Sequence, residues 1–369
     1  MLNIDNGYTV KLLSDLVDIS SVFPSEKEII LFLERELTQI GLPVERVPIS
    51  ESRWNILARI GNGSPVLCLN AHADTVPPNG DSTTKAQIKD ENLHGLGSAD
   101  DKGSIAAMVS AVKTISESGA KLNGTLDLLI SVDEEGDAKG VRTAIERGYR
   151  CDMALTGEPT SLGIVAAHCG LVFLDIVTHG KSTHGSIPME GINAIEMIYE
   201  LVSGLKAAVT DFPAHPLVGQ PTLNLGIMKG GDRPNRVPDR CEASIDIRLV
   251  PPMTTAQVLE RIEGCFAKWK DRAEYKITKQ GGSLDTSHDS PIVKALSAAI
   301  GQVCGKVPPM VGWRGWTEAE PFQSRLGIDA VVFGPGALVR AHSADEYVEL
   351  DQLNHAAQIY AETALKLLS

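Results

Sequence analysis

The chain has 369 residues, a formal net charge of −13, and 43% hydrophobic against 22% charged residues. That length suits about two domains of a globular protein, and the acidic balance repels phosphate backbones, which argues against nucleic acid as a partner. No apolar run approaches the roughly 18 residues of a membrane span; the opening MLNIDNGYTVKLL lacks the pattern of a secretory signal, and the six scattered cysteines include no C-x-x-C pair, so a cytoplasmic location without a disulfide framework is expected.

In chain order, residues 25–40 (SEKEIILFLERELTQI) read as a helix, with Ser25 and Glu28 at capping-box spacing and Gly41 as a stop. NILARI and PVLCLN read as strands, residues 103–118 as a helix, LDLLISV as a strand, GVRTAIERG as a helix and MALT as a strand. This alternation predicts an α/β domain with a mainly parallel sheet. The pattern then changes. Strand 171–179, helix 191–209, strands 222–230 and 241–250, helix 254–270 and the strand AEYKITK follow in the order β-α-β-β-α-β, a ferredoxin-like α+β unit. A helix near 291–304, the strand AVVFGPG and a helix from about Leu350 resume the first pattern, so the ferredoxin-like unit is read as an insertion.

Chemistry gathers where strands of the α/β domain end. LNAHADTVP closes an apolar run with His72 and Asp74, which project to the same side of an extended chain. A carboxylate beside an imidazole can fix the tautomer a metal needs, although a surface pair capping a strand fits the same residues. HGLGSADDKGS places Asp100 and Asp101 in a glycine-rich turn; a phosphate loop would need Gly-Lys-Ser/Thr, whereas here Lys102 precedes Gly103. Asp133, Glu134 and Glu135 follow another strand, Glu158 a third, and His342 lies in a loop after the last. Adjacent acids repel unless a cation offsets them, though an acidic surface turn is the plain alternative. Taken together, imidazoles and carboxylates without cysteine suit zinc, with cobalt or manganese possible, in numbers sufficient for two metals sharing one carboxylate. One glutamate of the Glu134–Glu135 pair could then bind metal while the other moves protons.

Seven segments in order, HADTVP, GLGSADDKGSIAAM, DEEG, GEPT, STHGSIPMEGINAI, NRVPDRCEASIDIR and FGPGALVRAHSADEYV, resemble the dinuclear zinc aminoacylase and carboxypeptidase superfamily, which includes acetylornithine deacetylases and succinyl-diaminopimelate desuccinylases. The resemblance covers nearly the whole chain. It implies a zinc-exopeptidase-like catalytic domain at 1–167 and 281–369 and a lid and dimerisation domain at 168–280. It implies two divalent metal ions, one on His72 and Glu158, the other on Glu135 and His342, bridged by Asp100. Asp74 would orient His72, Glu134 would act as general acid and base, and His184 would stabilise the oxyanion. Asn235 and Arg248 would hold substrate, although Arg248 also reads as a surface cation on a strand. Thr317 and Gly336 are further substrate-binding candidates; Thr317-Glu318 departs from the more usual threonine-aspartate pair, which bears on acyl-group choice. The implied activity is removal of an acetyl or succinyl group from an N-acyl amino acid by a homodimer, with a zinc carboxypeptidase or dipeptidase acting on short peptides as the alternative.

Overall fold

Thr125–Ser131 is buried along its whole length in the computed structural model, which describes residues 2–369. A strand with no polar face needs cover on both sides, as in a parallel sheet flanked by helices. The elements in order are α1 (Asn6–Asp18), α2 (Lys27–Gln39), β1 (Val44–Pro48), β2 (Trp54–Ile60), β3 (Val66–His72), β4 (Gln87–Lys89), β5 (Asn92–His94), α3 (Lys102–Ser118), β6 (Thr125–Ser131), α4 (Gly140–Glu146), β7 (Met153–Thr156) and β8 (Val165–His168). They continue with β9 (Gly170–His179), α5 (Ala194–Thr210), β10 (Thr222–Gly230), β11 (Arg240–Leu249), α6 (Thr255–Phe266), β12 (Ala273–Gly281), β13 (Leu284–Asp285), α7 (Pro291–Cys304), β14 (Val311–Trp313), α8 (Ala319–Leu326), β15 (Asp329–Val332), β16 (Tyr347–Glu349) and α9 (Leu350–Leu368). Two units form. One runs up to Ala166 and takes in Thr286–Val311 and Thr317–Ser369; the other is Ala167–Asp285 with Gly312–Trp316.

The sheet of the first unit has the order β1-β2-β6-β3-β7-β15-β8. Strands β6, β3, β7 and β15 are parallel neighbours, while the β1–β2, β2–β6 and β15–β8 pairs are antiparallel. The sheet is thus mixed, parallel at its centre only, because a short turn joins β1 to β2 and such a connection allows only an antiparallel pair. The four central strands end on the same side, which is where ligands gather in open α/β sheets. Helix α3 is buried from Lys102 to Val112, as its small apolar residues allow, and ends at Gly119 in the left-handed region (φ +69°). It packs on α9, whose buried Tyr360 donates its hydroxyl to the Phe333 carbonyl at 2.6 Å. The capping box expected at Ser25 is absent. Helix α2 starts at Lys27 with Glu26 as an uncapping N-cap, because the Glu26 carboxylate is taken by the Arg53 guanidinium.

The second unit carries a four-stranded sheet in the order β10-β11-β9-β12, every pair antiparallel, the ferredoxin-like arrangement. Its core joins Val172, Leu174 and Ile176 of β9 to Ile198, Leu201 and Leu205 of α5 and Val258 and Ile262 of α6. Thr254 and Gln257 close a capping box at the start of α6. Residues 281–285 and 312–316 belong to this unit rather than to the first. The Trp313 carbonyl accepts from Cys169 N at 3.0 Å, and Arg314 donates to the carbonyls of Val218 at 2.5 Å and Gln220 at 3.1 Å.

His168 at the end of β8 is buried. Its Nδ1 lies 2.9 Å from the Cys169 carbonyl, and its Nε2 has no hydrogen-bond partner among the described residues. Burial pushes its pKa down to about 4, from an ordinary 6.5. The unfolded chain therefore takes up a proton that the folded chain refuses, and the associated stability is present above pH 6.5 and lost as pH falls toward 4. Denaturant melts at pH 7 and pH 5 should show wild type losing about 2 kcal/mol more than His168→Leu over that interval. An equal pH dependence in the two proteins would refute a neutral buried His168.

Candidate metal centre

Four loops at the carboxyl ends of the central strands carry the candidate ligands. His72 is the last residue of β3, Glu134 and Glu135 follow β6, Glu158 follows β7, and His342 lies between β15 and β16. Asp100 comes from the loop between β5 and α3. Single ligand atoms of His72, Asp100 and Glu158 lie within 4.8 Å of one another, and so do those of Asp100, Glu135 and His342. Asp100 is the side chain common to both groups. Asp101 is buried next to it, belongs to neither group, and has a pKa pushed up to about 8 by burial.

The imidazoles are oriented by their surroundings. His72 Nδ1 lies 3.0 Å from the Asp74 backbone carbonyl, an acceptor, so Nδ1 carries the proton and Nε2 faces Asp100 Oδ1 at 3.0 Å. The Asp74 carboxylate is 3.7 Å from Nδ1, beyond hydrogen-bond reach. The Asp74 backbone carbonyl thus fixes the His72 tautomer, while the Asp74 carboxylate stands within ion-pair distance of the same nitrogen. The carboxylate also accepts the backbone N–H of Glu134 at 3.3 Å and of Glu135 at 2.9 Å. His342, with φ +58° in the left-handed region, places Nε2 2.8 Å from Glu135 Oε1 and 3.4 Å from Asp100 Oδ2.

Two lone-pair donors that face each other at these distances need a positive charge between them, either a proton or a metal ion. The electrostatics of the cluster point the same way. Burial alone would lower the pKa of His72, yet Asp100 and Asp74 hold it well above its ordinary value. The hydrogen bond to Glu135 raises His342 to about 9. Burial first, then neighbouring charges, pushes Glu134 and Glu158 well above the carboxylate range. The donor set, imidazole nitrogen and carboxylate oxygen, fits zinc or a similar divalent cation.

Sequence reasoning named Asp133 and Glu318 but not the contacts by which they brace these loops. Asp133, at φ +82°, accepts from Arg53 at 2.6 Å and from Lys139 N at 3.1 Å, folding the loop that presents Glu134 and Glu135. Glu318 is buried and accepts from the Ser131 hydroxyl at one end of that loop and from Val141 N at the other, the latter at 3.0 Å. Thr317 beside it is buried and accepts from Ala319 N at 3.2 Å. Gly336 (φ +84°) turns the chain after β15, its carbonyl accepting from Ser161 N at 2.6 Å. Three candidates lie in the second unit. His184 sits in the loop between β9 and α5, its Nδ1 2.8 Å from the Ser186 hydroxyl. Asn235 is exposed, its carbonyl accepting from Gly185 N at 2.8 Å. Arg248 on β11 pairs with Asp246 at 2.9 Å and lies over the Phe173 ring.

The chain is 31% identical to acetylornithine deacetylase of Pasteurella multocida over 93% of each chain. It is 27% identical to a probable succinyl-diaminopimelate desuccinylase of Staphylococcus epidermidis over 96% of each. Its fold superposes on a dinuclear-metal-binding M20-family peptidase of Bacillus subtilis with a TM-score of 0.75, at 18% identity over 98% of both chains. Residues 68–366 match the model of peptidase family M20/M25/M40, and the chain belongs to that family.

Proposed function

We propose that this chain is a metal-dependent amide hydrolase that removes an acyl group, acetyl or succinyl, from an N-acyl amino acid. The observation that carries the reading is the sharing of Asp100 by two ligand groups, with Glu134 close enough for its charge to act on His72 and Glu158. His72, Asp100 and Glu158 would hold one divalent cation, and Asp100, Glu135 and His342 a second, with zinc the best match and cobalt or manganese as alternatives. Such a pair supplies Lewis-acid polarisation of a carbonyl and acidifies water. Glu134 takes the proton of the attacking water and returns it to the leaving amine. His184, whose Nδ1 is engaged with Ser186, has Nε2 left to donate and is assigned the developing oxyanion. Asn235, Arg248, Thr317 and Gly336 are assigned to the substrate. The ferredoxin-like unit is assigned the role of lid and dimer contact in a cytoplasmic homodimer.

The deacetylase and desuccinylase relatives support deacylation. The peptidase fold neighbour supports the second reading, an exopeptidase using the same residues on a short peptide. Turnover of acetylornithine, succinyl-diaminopimelate, acetylmethionine and a glutamate-terminated dipeptide, measured side by side, separates the two.

Chelation should abolish turnover and added zinc or cobalt restore it; full activity in rigorously metal-free protein would defeat the proposal. Glu134→Gln should keep its metal content yet lose roughly 10²–10⁴-fold in kcat, whereas Glu135→Gln should lose metal. Metal analysis of both variants checks the division of labour, and a Glu134→Gln enzyme within a few-fold of wild type would assign the base elsewhere. Mixing His184→Ala with Glu134→Gln should restore activity if the histidine acts on the partner subunit. No recovery after subunit exchange would remove that role.

A further inference from the structure

Four residues beyond His342 lies a carboxylate that the proposed chemistry does not use. Glu346 is 3% exposed. Its Oε1 accepts the backbone N–H groups of Ala99 and Asp100, and its Oε2 that of Gly97, all three at 3.0 Å. Its own carbonyl accepts from Gly95 N at 3.1 Å. The next residue opens β16, where Tyr347 pairs with His94 of β5. A single residue therefore joins the segment that bears His342 to the loop that bears Asp100, although the two are far apart in sequence.

The loop is shaped for this contact. Gly97 has φ +80°, and a Cβ there would come within 2.7 Å of Thr75 Cγ2, so only glycine turns its N–H toward Glu346 at no cost. Buried N–H groups require an acceptor, and three of them from one loop converge on this carboxylate. Asp74 makes a tie of the same kind, accepting the backbone N–H of Glu135 from a position two residues after His72, but Glu346 is the one that holds Asp100, the side chain common to both groups.

We propose that Glu346 is a positioning residue that presets Asp100, the ligand common to both groups, and registers it against His342 before any cation binds. The inference rests on the metal-centre reading above. Groups that orient metal ligands characteristically change metal affinity about 10–100-fold when altered, without themselves touching the metal.

Glu346→Gln is the sharpest probe. It keeps the shape, but its NH2 must face at least one of the three N–H donors. In the metal-free variant, amide hydrogen exchange at Gly97, Ala99 and Asp100 should speed up at least about tenfold while melting stays near wild type. Competition against a zinc chelator should show affinity lower by about 10–100-fold. Glu346→Asp, which keeps the charge on a shorter arm, should recover part of both losses. Exchange and zinc affinity within twofold of wild type in Glu346→Gln would overturn the inference. So would an affinity loss that merely tracks global unfolding, since Glu346 would then be ordinary structural support. A wild-type protein that binds no divalent cation would defeat the metal-centre reading instead. Two cations bound equally well by wild type and Glu346→Gln would defeat this inference alone.

Discussion

Carboxylates crowded at one end of a sheet repel one another, and the first unit must hold Asp100, Glu135 and Glu158 against that repulsion. Two like charges about 4 Å apart cost about 4 kcal/mol even at an effective dielectric of 20, and Glu158 and Asp100 are buried. The tension appears as raised carboxyl pKa values and as imidazoles that hold their protons tightly. A divalent cation held by these side chains would relieve both at once, taking the place of the protons on the imidazoles and offsetting the acids. The same repulsion explains why the site cannot be built from loose loops. Each ligand has to be fixed by something other than its attraction to its neighbours.

The fixing is done in a recurring way, by carboxylates that accept backbone N–H groups. Asp74 takes those of Glu134 and Glu135, Glu318 that of Val141, Asp133 that of Lys139, and Glu346 those of Gly97, Ala99 and Asp100. Charge-assisted bonds of this kind are stronger than neutral ones, and they hold the main chain rather than the ligand side chain. The sheet supplies the rigid base: β3, β6, β7 and β15 run parallel with their ends together, and the buried α3 and α9 pack on one another beside it. The acidic character of the ends is thus partly ligand and partly scaffold, which a count of acids cannot separate.

Much of this was legible in the residues. The apolar runs PVLCLN and LDLLISV mark buried strands because a two-sided core leaves no polar face, and the alternation of CEASIDIRLV marks β11 as half-buried. The residues that the family resemblance pointed to, His72, Asp100, Glu135, Glu158 and His342, come together in two groups at the strand exits. Other features were not legible. Helix α1 and the small β16-β5-β4 sheet escaped notice: α1 carries a helical stripe, Thr9, Leu12, Leu13, Leu16 and Val17, behind an Asp5 N-cap that could have revealed it, whereas the three-residue strands carry no period. The capping box at Ser25 failed because a tertiary contact, Arg53 with Glu26, outweighed local propensity. The bracing by Glu318 and Glu346 depends on contacts over long sequence separations, and their neighbours in the chain give no sign of it. The spacing of Asp74 to His72 brings its carboxylate to 3.7 Å from His72 Nδ1, but gave no sign that the same carboxylate also accepts the backbone N–H groups of Glu134 and Glu135 in the next loop.

Anomalous diffraction from crystals grown with zinc tests the centre most directly. Two anomalous peaks are expected in the first unit, one bounded by His72, Asp100 and Glu158, the other by Asp100, Glu135 and His342, with Asp100 touching both. A single peak, peaks that leave Asp100 unshared, or zinc bound elsewhere in the chain would contradict a dinuclear centre bridged by Asp100.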